Sequence, residues 1–183
     1  MSPSPSQSLR PRRRQRWLVP VLMLGLVLAL ATWNLSSPPG AAPRDVVFQL
    51  IDGRRIALDD LRGRPVLVSF WATTCPACLR EIPHLKALYR EAAPQGLVMV
   101  AVAMPYDPPS EVLGLVADRE LPYDIAVDVQ GRVLRAFGRV PGTPTHFLMD
   151  GEGNIVLHRV GPLDTRRVLE LVSDGATRPG PTG

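Results

Sequence analysis

The segment Val66–Cys78, VLVSFWATTCPAC, places a short apolar run directly before the two cysteines of the 183-residue chain. The nearly continuous apolar residues Val66–Trp71 are typical of a strand that is buried on both faces of a sheet. From Pro76 to about Ala93 the apolar side chains recur with helical spacing. The sequence therefore predicts a buried strand that leads into a helix, with both cysteines where the two meet.

Alternating strand and helix patterns flank this segment and predict a layered α/β domain. The predicted elements are a hairpin of Val46–Ile51 and Arg54–Leu58, a strand Leu97–Ala103, a helix Pro109–Arg119, a strand Tyr123–Val127, a helix Val129–Phe137, a hairpin of Thr145–Met149 and Asn154–Arg159, and a helix Asp164–Ser173. Because a helix connects Val66–Trp71 to Leu97–Ala103, the right-handed crossover rule makes these two strands parallel. Pro83 lies inside that helix and predicts a kink.

The two cysteines have the spacing and the position of a redox-active dithiol. Cys75 is at the predicted N-cap, where free backbone N–H groups and the helix dipole stabilise a thiolate. Pro76 suits the first helical position because it lacks an N–H and its φ is preset. Cys78 lies three residues on, within reach of Cys75 on the same turn. This arrangement predicts Cys75 as the attacking thiolate and Cys78 as the thiol that closes the intramolecular disulfide.

Three other interpretations of the cysteine pair stay open at this point. A purely structural disulfide would close a very short loop, which gains least from the entropy of loop closure. A metal site would need further ligands, and the chain has three histidines, His84, His146 and His158. His84 lies six residues after Cys78, off the ideal helical face, so we expect no metal. Two inert buried cysteines are the third interpretation.

The positive charge of the chain is concentrated at its N-terminus. The formal net charge is +4. Without the arginines that precede the first apolar run, 16 basic side chains remain against 17 acidic ones; these arginines are Arg10, Arg12, Arg13, Arg14 and Arg16. Because the remaining basic residues form no stripe with aromatic side chains, the sequence predicts no nucleic-acid partner.

The residues Trp17–Leu35 contain no charged side chain and directly follow these arginines. As a helix, about nineteen residues span roughly 28 Å, close to the hydrocarbon thickness of a bilayer. The arginines predict a cytoplasmic N-terminus and an exported domain in an oxidising compartment. The alternative is a cleaved signal peptide, with Ala29-Leu30-Ala31 as its site. We expect a single-pass membrane protein with an exported domain, or a secreted protein if the peptide is cleaved.

The predicted organisation of the chain has five parts. They are a cytoplasmic basic tail (1–16), a transmembrane anchor in contact with the lipid bilayer (17–35), an extended linker (36–44), the α/β domain (45–174) and a flexible tail (175–183). The linker is predicted because Pro, Gly, Ala and Ser dominate between Ser36 and Arg44, and such a composition favours an extended chain.

Val66–Pro83 and the turn Gly142–Thr145, GTPT, resemble the TlpA/ResA branch of the membrane-anchored thioredoxin-fold proteins. The similarity of pattern extends over Asp45–Val172 and implies a thioredoxin-like fold with an N-terminal β-hairpin and an inserted strand–helix unit near 97–119. It also implies an exported thiol–disulfide oxidoreductase, usually a reductase, without a cofactor. The partners implied are disulfide-bearing clients such as apocytochrome c, in cytochrome c biogenesis, and a membrane electron donor of the thiol-transfer type.

The resemblance further implies roles for individual residues. Pro144 is expected to be cis and to place Thr143 beside the cysteines. Glu81 is expected to assist proton transfer at Cys78, with a solvated helix carboxylate as the alternative. Apart from the resemblance, His146 follows the Pro144 turn at the start of a predicted strand, and the alternatives for it are an ordinary strand histidine and a place on the active-site surface. The residues expected around a bound client are Trp71, Thr74, Pro76, Ala77 and Thr143. For Trp71, the alternative is that its side chain only packs in the core.

Three departures from the family pattern leave the direction of electron flow open, so that a disulfide oxidase is the alternative to a reductase. Thr74 stands where the family usually has Trp, and Ala77 stands where Pro often precedes the second cysteine. Ser69 occupies the position of the buried Asp of thioredoxins. Copper delivery on this fold uses a longer Cys-x-x-x-Cys spacing, which the chain lacks. Thiol peroxidases need Pro-x-x-x-Thr-x-x-Cys, and Ala72 replaces the Thr.

Overall fold

The computed structural model describes Met23 and residues 40–176, and contacts divide the chain into the units Met1–Pro38 and Pro39–Gly183. The predicted tail 1–16 and the predicted anchor 17–35 lie outside the described residues, apart from Met23. The last residues of the C-terminal tail, 177–183, also lie outside them. In the described part of the chain, no helix is long and apolar enough to cross a membrane.

Strands and helices alternate along the second unit, together with two 3-10 turns at Leu58–Leu61 and Ala93–Gln95. The strands are β1 Val47–Gln49, β2 Arg55–Ala57, β3 Val66–Trp71, β4 Val98–Ala103, β5 Asp124–Val127, β6 Thr145–Met149 and β7 Ile155–Val160. The helices are α1 Pro76–Ala92, α2 Pro109–Arg119, α3 Arg132–Phe137 and α4 Thr165–Ala176. The predicted order of strands and helices is confirmed.

A mixed sheet with the strand order β5-β4-β3-β6-β7 forms the middle of this unit, and β1 and β2 form a separate antiparallel hairpin. The central strand β3 is parallel to β4 and antiparallel to β6, and all of its residues are buried. A strand between two neighbours and two covering layers needs apolar side chains on both faces, as the sequence of β3 has. The predictions of a doubly buried strand and of a parallel crossover are therefore confirmed.

Helices α1, α2 and α4 cover one face of the sheet, whereas the β1–β2 hairpin and helix α3 cover the other face. On the first face, α1, α2 and α4 form one cluster with the sheet, which includes Leu67, Leu85, Val112, Leu148 and Val168. On the second face, the hairpin and α3 form another cluster, which includes Phe48, Phe70, Phe137 and Phe147. Because side chains alternate along a strand, Ser69 and Trp71 point with Leu67 towards the helix layer.

The start of α3 differs from the prediction. The helix expected from Val129 begins at Arg132, because residues 129–130 form a turn that ends at Gly131, whose φ is 64°. That left-handed conformation favours glycine and stops the helix from extending further back. Pro83 lies within α1, which continues to Ala92, and the kink predicted there stays a prediction.

Both ends of the described domain extend further than the sequence indicates. α4 continues to Ala176, beyond the expected end at Ser173. Within the expected linker 36–44, Ala42 is buried and its N–H donates to the carbonyl oxygen of Gly153 (2.8 Å). The chain is therefore attached to the sheet a few residues before β1 begins.

Phe70 provides a test of the core on the hairpin side. Its ring is fully buried, with its centroid 5.4 Å from that of Phe137 and 6.1 Å from that of Phe147. We expect Phe70→Ala to lower the free energy of unfolding by about 3–5 kcal/mol, because it removes apolar contacts and leaves a cavity. Val129→Ala is the control: Val129 is 60% exposed, and its change should stay within about 0.5 kcal/mol. Urea denaturation measures both, and equal losses would contradict this description of the core.

Candidate active site

Cys75 and Cys78 lie at the junction of β3 and α1, where the sequence predicts them. Cys75 is the N-cap of α1, and its Sγ accepts the backbone N–H of Cys78 (3.1 Å). Pro76 is the first residue of the helix. The two sulfurs are bonded to each other, with the Cα atoms 5.3 Å apart. Because Cys75 is half-buried and Cys78 is only 4% exposed, Cys75 is the sulfur that a client can reach.

The turn before β6 brings a second backbone segment against Cys75. The peptide bond between Thr143 and Pro144 is cis, as the resemblance implies. Thr143 O lies 3.5 Å from Cys75 Sγ. The hydroxyl of Thr145 donates to Gly142 O (2.6 Å) and holds the turn closed. Since β6 pairs with β3, this turn and the start of α1 lie at the same edge of the sheet.

The residues expected around a bound client divide into an accessible group and a buried one. Thr74 and Pro76 are exposed, and Ala77 and Thr143 are partly exposed. Trp71 is buried beneath them and packs in the cluster of the helix layer. Packing, the alternative for Trp71, fits this placement, and a direct contact with a client does not.

Glu81 is buried next to the inner cysteine, with 5% of its surface exposed. It lies one turn of α1 after Cys78, and both side chains line a small internal cavity with Trp71, Tyr123 and Pro144. The backbone N–H of Leu163 donates to Glu81 Oε1 (2.6 Å). The alternative of a solvated helix carboxylate is therefore wrong, because the carboxyl group is removed from solvent and held in place.

Tyr123 forms another wall of this cavity. Burial raises the pKa of its hydroxyl above the ordinary value, and the nearby Glu81 carboxylate raises it further. The phenol therefore stays protonated at neutral pH. The ring of Tyr123 packs edge-on against Tyr89, with 5.9 Å between the centroids.

His146 lies on β6 behind the cysteines and is fully buried, so it is a strand histidine and not part of the active-site surface. Ser69 faces it in the β3–β6 register, and Ser69 Oγ lies 3.0 Å from His146 Nδ1. The other ring nitrogen, Nε2, lies 3.3 Å from Glu81 Oε2. Sequence reasoning missed this arrangement, since only the strand register brings the three residues together.

The remaining two histidines lie at the surface. His84 is exposed on α1, and His158 is exposed on β7, where its Nε2 lies 3.0 Å from Arg139 O. Among residues 40–176, no group of three or more His, Cys, Asp or Glu side chains could hold a metal ion.

Asp107 holds the turn that leads from β3 into α1, and the sequence analysis did not single it out. It is buried in the loop between β4 and α2. Its carboxylate accepts the backbone N–H of Thr73 (2.7 Å) and the hydroxyl of Thr73 (3.1 Å). Thr73 lies two residues before Cys75, so these bonds fix the approach to the N-cap. The sequence could have pointed to Asp107, because β4 is predicted to be parallel to β3 and Asp107 follows the carboxyl end of β4. The carboxyl ends of parallel strands lie at the same end of a sheet, where the cysteines also lie.

The accessible sulfur of Cys75 can exchange with an external disulfide. The buried sulfur of Cys78 can then re-form the Cys75–Cys78 disulfide. That is the chemistry of thiol–disulfide oxidoreductases of thioredoxin fold. Comparison with known proteins shows that the pattern of the AhpC/TSA family matches residues 39–158. The chain belongs to this family.

Curated relatives carry this activity in their names. Thiol-disulfide oxidoreductase ResA of Bacillus thuringiensis subsp. konkukian (strain 97-27) is 31% identical over 129 residues, 70% of this chain and 72% of the relative. ResA of Geobacillus thermodenitrificans (strain NG80-2) is 31% identical over 153 residues, 79% of this chain and 87% of the relative. A crystal structure of a thiol:disulfide interchange protein from Chlorobium tepidum TLS has a TM-score of 0.68 at 26% identity, over 77% of this chain and 99% of that one. The thioredoxin-like fold and the activity are confirmed: the protein is a thiol–disulfide oxidoreductase.

Replacing Asp107 tests whether it positions the cysteines. We expect Asp107→Ala to lower the free energy of unfolding by about 1–3 kcal/mol, because the Thr73 N–H loses its partner in a buried place. The reaction of Cys75 with an aromatic disulfide should also slow, since the turn before the N-cap is no longer fixed. Urea denaturation and stopped-flow absorbance measure the two effects. Asp118→Ala, at an exposed position of α2, is the control, and an Asp107 variant that behaves like it would contradict this role.

Proposed function

We propose that the protein is a membrane-tethered, exported reductase of disulfide-bearing client proteins that works through Cys75 and Cys78. The observation that carries the proposal is the placement of the buried Glu81 beside the inner cysteine. A reductase must deprotonate its resolving thiol while the client is still attached. A carboxylate in the cavity next to Cys78 supplies a proton acceptor for that step.

The first step takes place at the surface. The Cys75 thiolate, stabilised by the N–H of Cys78 and by the N-terminus of α1, attacks one sulfur of the client disulfide. The S–S bond of the client breaks, and its electron pair leaves on the second client sulfur, which takes up a proton from solvent. The product is a mixed disulfide between Cys75 and the client.

The second step releases the client. Glu81 accepts the proton of the Cys78 thiol, and the thiolate attacks Cys75 Sγ. The Cys75–client bond breaks, its electron pair leaves on the client sulfur, and the Cys75–Cys78 disulfide forms. The client has gained two electrons, and the protein needs two electrons from a reduced dithiol partner before the next cycle.

The proposed location follows from the sequence before the described domain. The arginines before Trp17 and the uncharged run Trp17–Leu35 support a bacterial inner-membrane anchor with the N-terminus in the cytoplasm and the domain in the periplasm. The proposed partners are a disulfide-bearing client of the apocytochrome c kind, in cytochrome c biogenesis, and a membrane electron donor of the thiol-transfer type. Carbonate extraction of membranes from cells that express the full chain tests the anchor: release into the soluble fraction would indicate a cleaved signal peptide.

The roles of the two cysteines can be separated by trapping. With Cys78→Ser we expect a disulfide-bonded adduct between Cys75 and a client to accumulate, because the resolving thiol is missing. With Cys75→Ser no adduct should form, and both variants should lose insulin reduction. Non-reducing electrophoresis and mass spectrometry of the adduct measure this. Insulin reduction that persists in Cys75→Ser would show that the cysteines are inert.

The direction of electron flow can be tested by the reduction potential of the Cys75–Cys78 disulfide. We expect a value near that of thioredoxin, about −270 mV, as befits a reductase. Equilibration of the full chain with glutathione buffers, followed by thiol alkylation, measures it. A potential near that of DsbA, about −120 mV, would reverse the direction and make the protein an oxidase.

A further inference from the structure

Ser69, His146 and Glu81 form a buried row beneath the cysteines. Each comes from a different element: Ser69 from β3, His146 from β6 and Glu81 from α1. All three are almost fully buried, and His146 has no exposed surface at all. Polar and ionisable groups in such a place are costly unless they satisfy one another, so their mutual contacts determine how each one behaves.

The hydrogen-bonding capacities of the three side chains are complementary. Ser69 Oγ lies 3.0 Å from His146 Nδ1, and its hydroxyl can donate to that nitrogen. With Nδ1 as the acceptor, the ring proton is on Nε2, which faces Glu81 Oε2 at 3.3 Å. Nε2 and Oε2 face each other without a well-aligned hydrogen bond, and neither atom has a hydrogen-bond partner among residues 40–176. The other carboxylate oxygen, Oε1, is already engaged by the N–H of Leu163.

Other ionisable groups face this row from the surrounding elements. Cys78 of α1 and Tyr123, just before β5, line the same cavity as Glu81. Arg159 of β7 is paired with His146 across the sheet, but its side chain is exposed and its Nε lies 3.3 Å from Pro162 O. Within the described residues, the Glu81 carboxyl group therefore faces the ring of His146 and no Lys or Arg side chain.

We propose that His146 is a positioning residue for the resolving step: its ring holds Glu81 as a carboxylate beside Cys78, and Ser69 fixes the ring tautomer that does so. The inference rests on the proposed function, in which Glu81 accepts the Cys78 proton. A donor at Oε2 stabilises the charged form of a buried carboxyl group, and only the charged form can accept a proton. An apolar side chain at position 146 would remove the polar group that faces Oε2 and favour a protonated, inactive Glu81.

In the resolving step, the proton of the Cys78 thiol is taken up by the row of buried side chains. Before the step, Glu81 carries the negative charge and His146 is neutral. The proton that leaves the Cys78 sulfur joins the Glu81–His146 pair, which becomes neutral overall. The negative charge moves to the Cys78 sulfur and then, as the new disulfide forms, to the departing client sulfur. Once the client has left, the pair returns its proton to solvent.

The test separates the two chemical steps in the reduced full chain. An aromatic disulfide, 5,5′-dithiobis(2-nitrobenzoate), releases one coloured thiolate when Cys75 attacks it and a second when Cys78 resolves the mixed disulfide. Stopped-flow absorbance follows both phases between about pH 5 and pH 9. With His146→Leu we expect the pH at half-maximal rate of the second phase to rise by about one to two units, since a buried carboxylate that loses its polar neighbour is destabilised by about that much. The first phase should be unchanged.

Matched variants exclude a merely structural effect. His146→Gln keeps an N–H donor near Glu81 and should recover most of the wild-type pH profile. His158→Gln makes the same substitution at an exposed histidine on the neighbouring strand and should leave both phases unchanged. Glu81→Gln is measured alongside and should slow the second phase. If it does so while His146→Leu keeps the wild-type pH profile of that phase, the inference about His146 is overturned. If Glu81→Gln has no effect, the proton-acceptor role of Glu81 in the proposed function fails as well.

A measurement on the wild-type chain covers the case in which His146→Leu does not fold. Nitrogen-15 NMR of the histidine ring reports which nitrogen carries the proton. We expect the reduced protein to have a proton on His146 Nε2 throughout the pH range in which the second phase is fast. An Nε2 without a proton in that range overturns the inference.

Discussion

The antiparallel register between β3 and β6 brings together the groups of the site that come from the sheet. It sets the Thr143–Pro144 turn against Cys75 at one edge of the sheet and Ser69 opposite His146 on the face of the helix layer. A slip of one residue would turn the side chains of β6 to the opposite face and move the histidine into the hairpin-side core. The turn beside Cys75 and the Ser69–His146 pair beneath it therefore depend on the same set of backbone hydrogen bonds.

Much of this arrangement could be predicted from the sequence because it depends on patterns within short segments of the chain. The apolar run of β3, the helical spacing of α1 and the two cysteines between them are contiguous, and each has a short period or a fixed spacing. The same holds for the cis peptide bond at Pro144, which the resemblance implies through four consecutive residues. The start of α3 was wrong by three residues, because a left-handed glycine, and not the apolar pattern, determines where that helix begins.

The parts that the sequence could not provide depend on contacts between distant residues. Glu81 could be interpreted equally well as a solvated carboxylate, until the N–H of Leu163 and the ring of His146 were found against it. Asp107 and Thr73 are separated by 34 positions and meet only because β4 lies next to β3. Thioredoxins place a buried acid at the position of Ser69. Here the buried acid comes from a helix, and a histidine on the adjacent strand is its partner.

The attachment of Ala42 to Gly153 has a consequence for how the domain is presented. Gly153 lies in the turn after β6, whereas Pro144, beside the cysteines, lies before it. The strand between them has five residues and is about 17 Å long. The chain thus enters the domain at the end of β6 that is opposite to the cysteines.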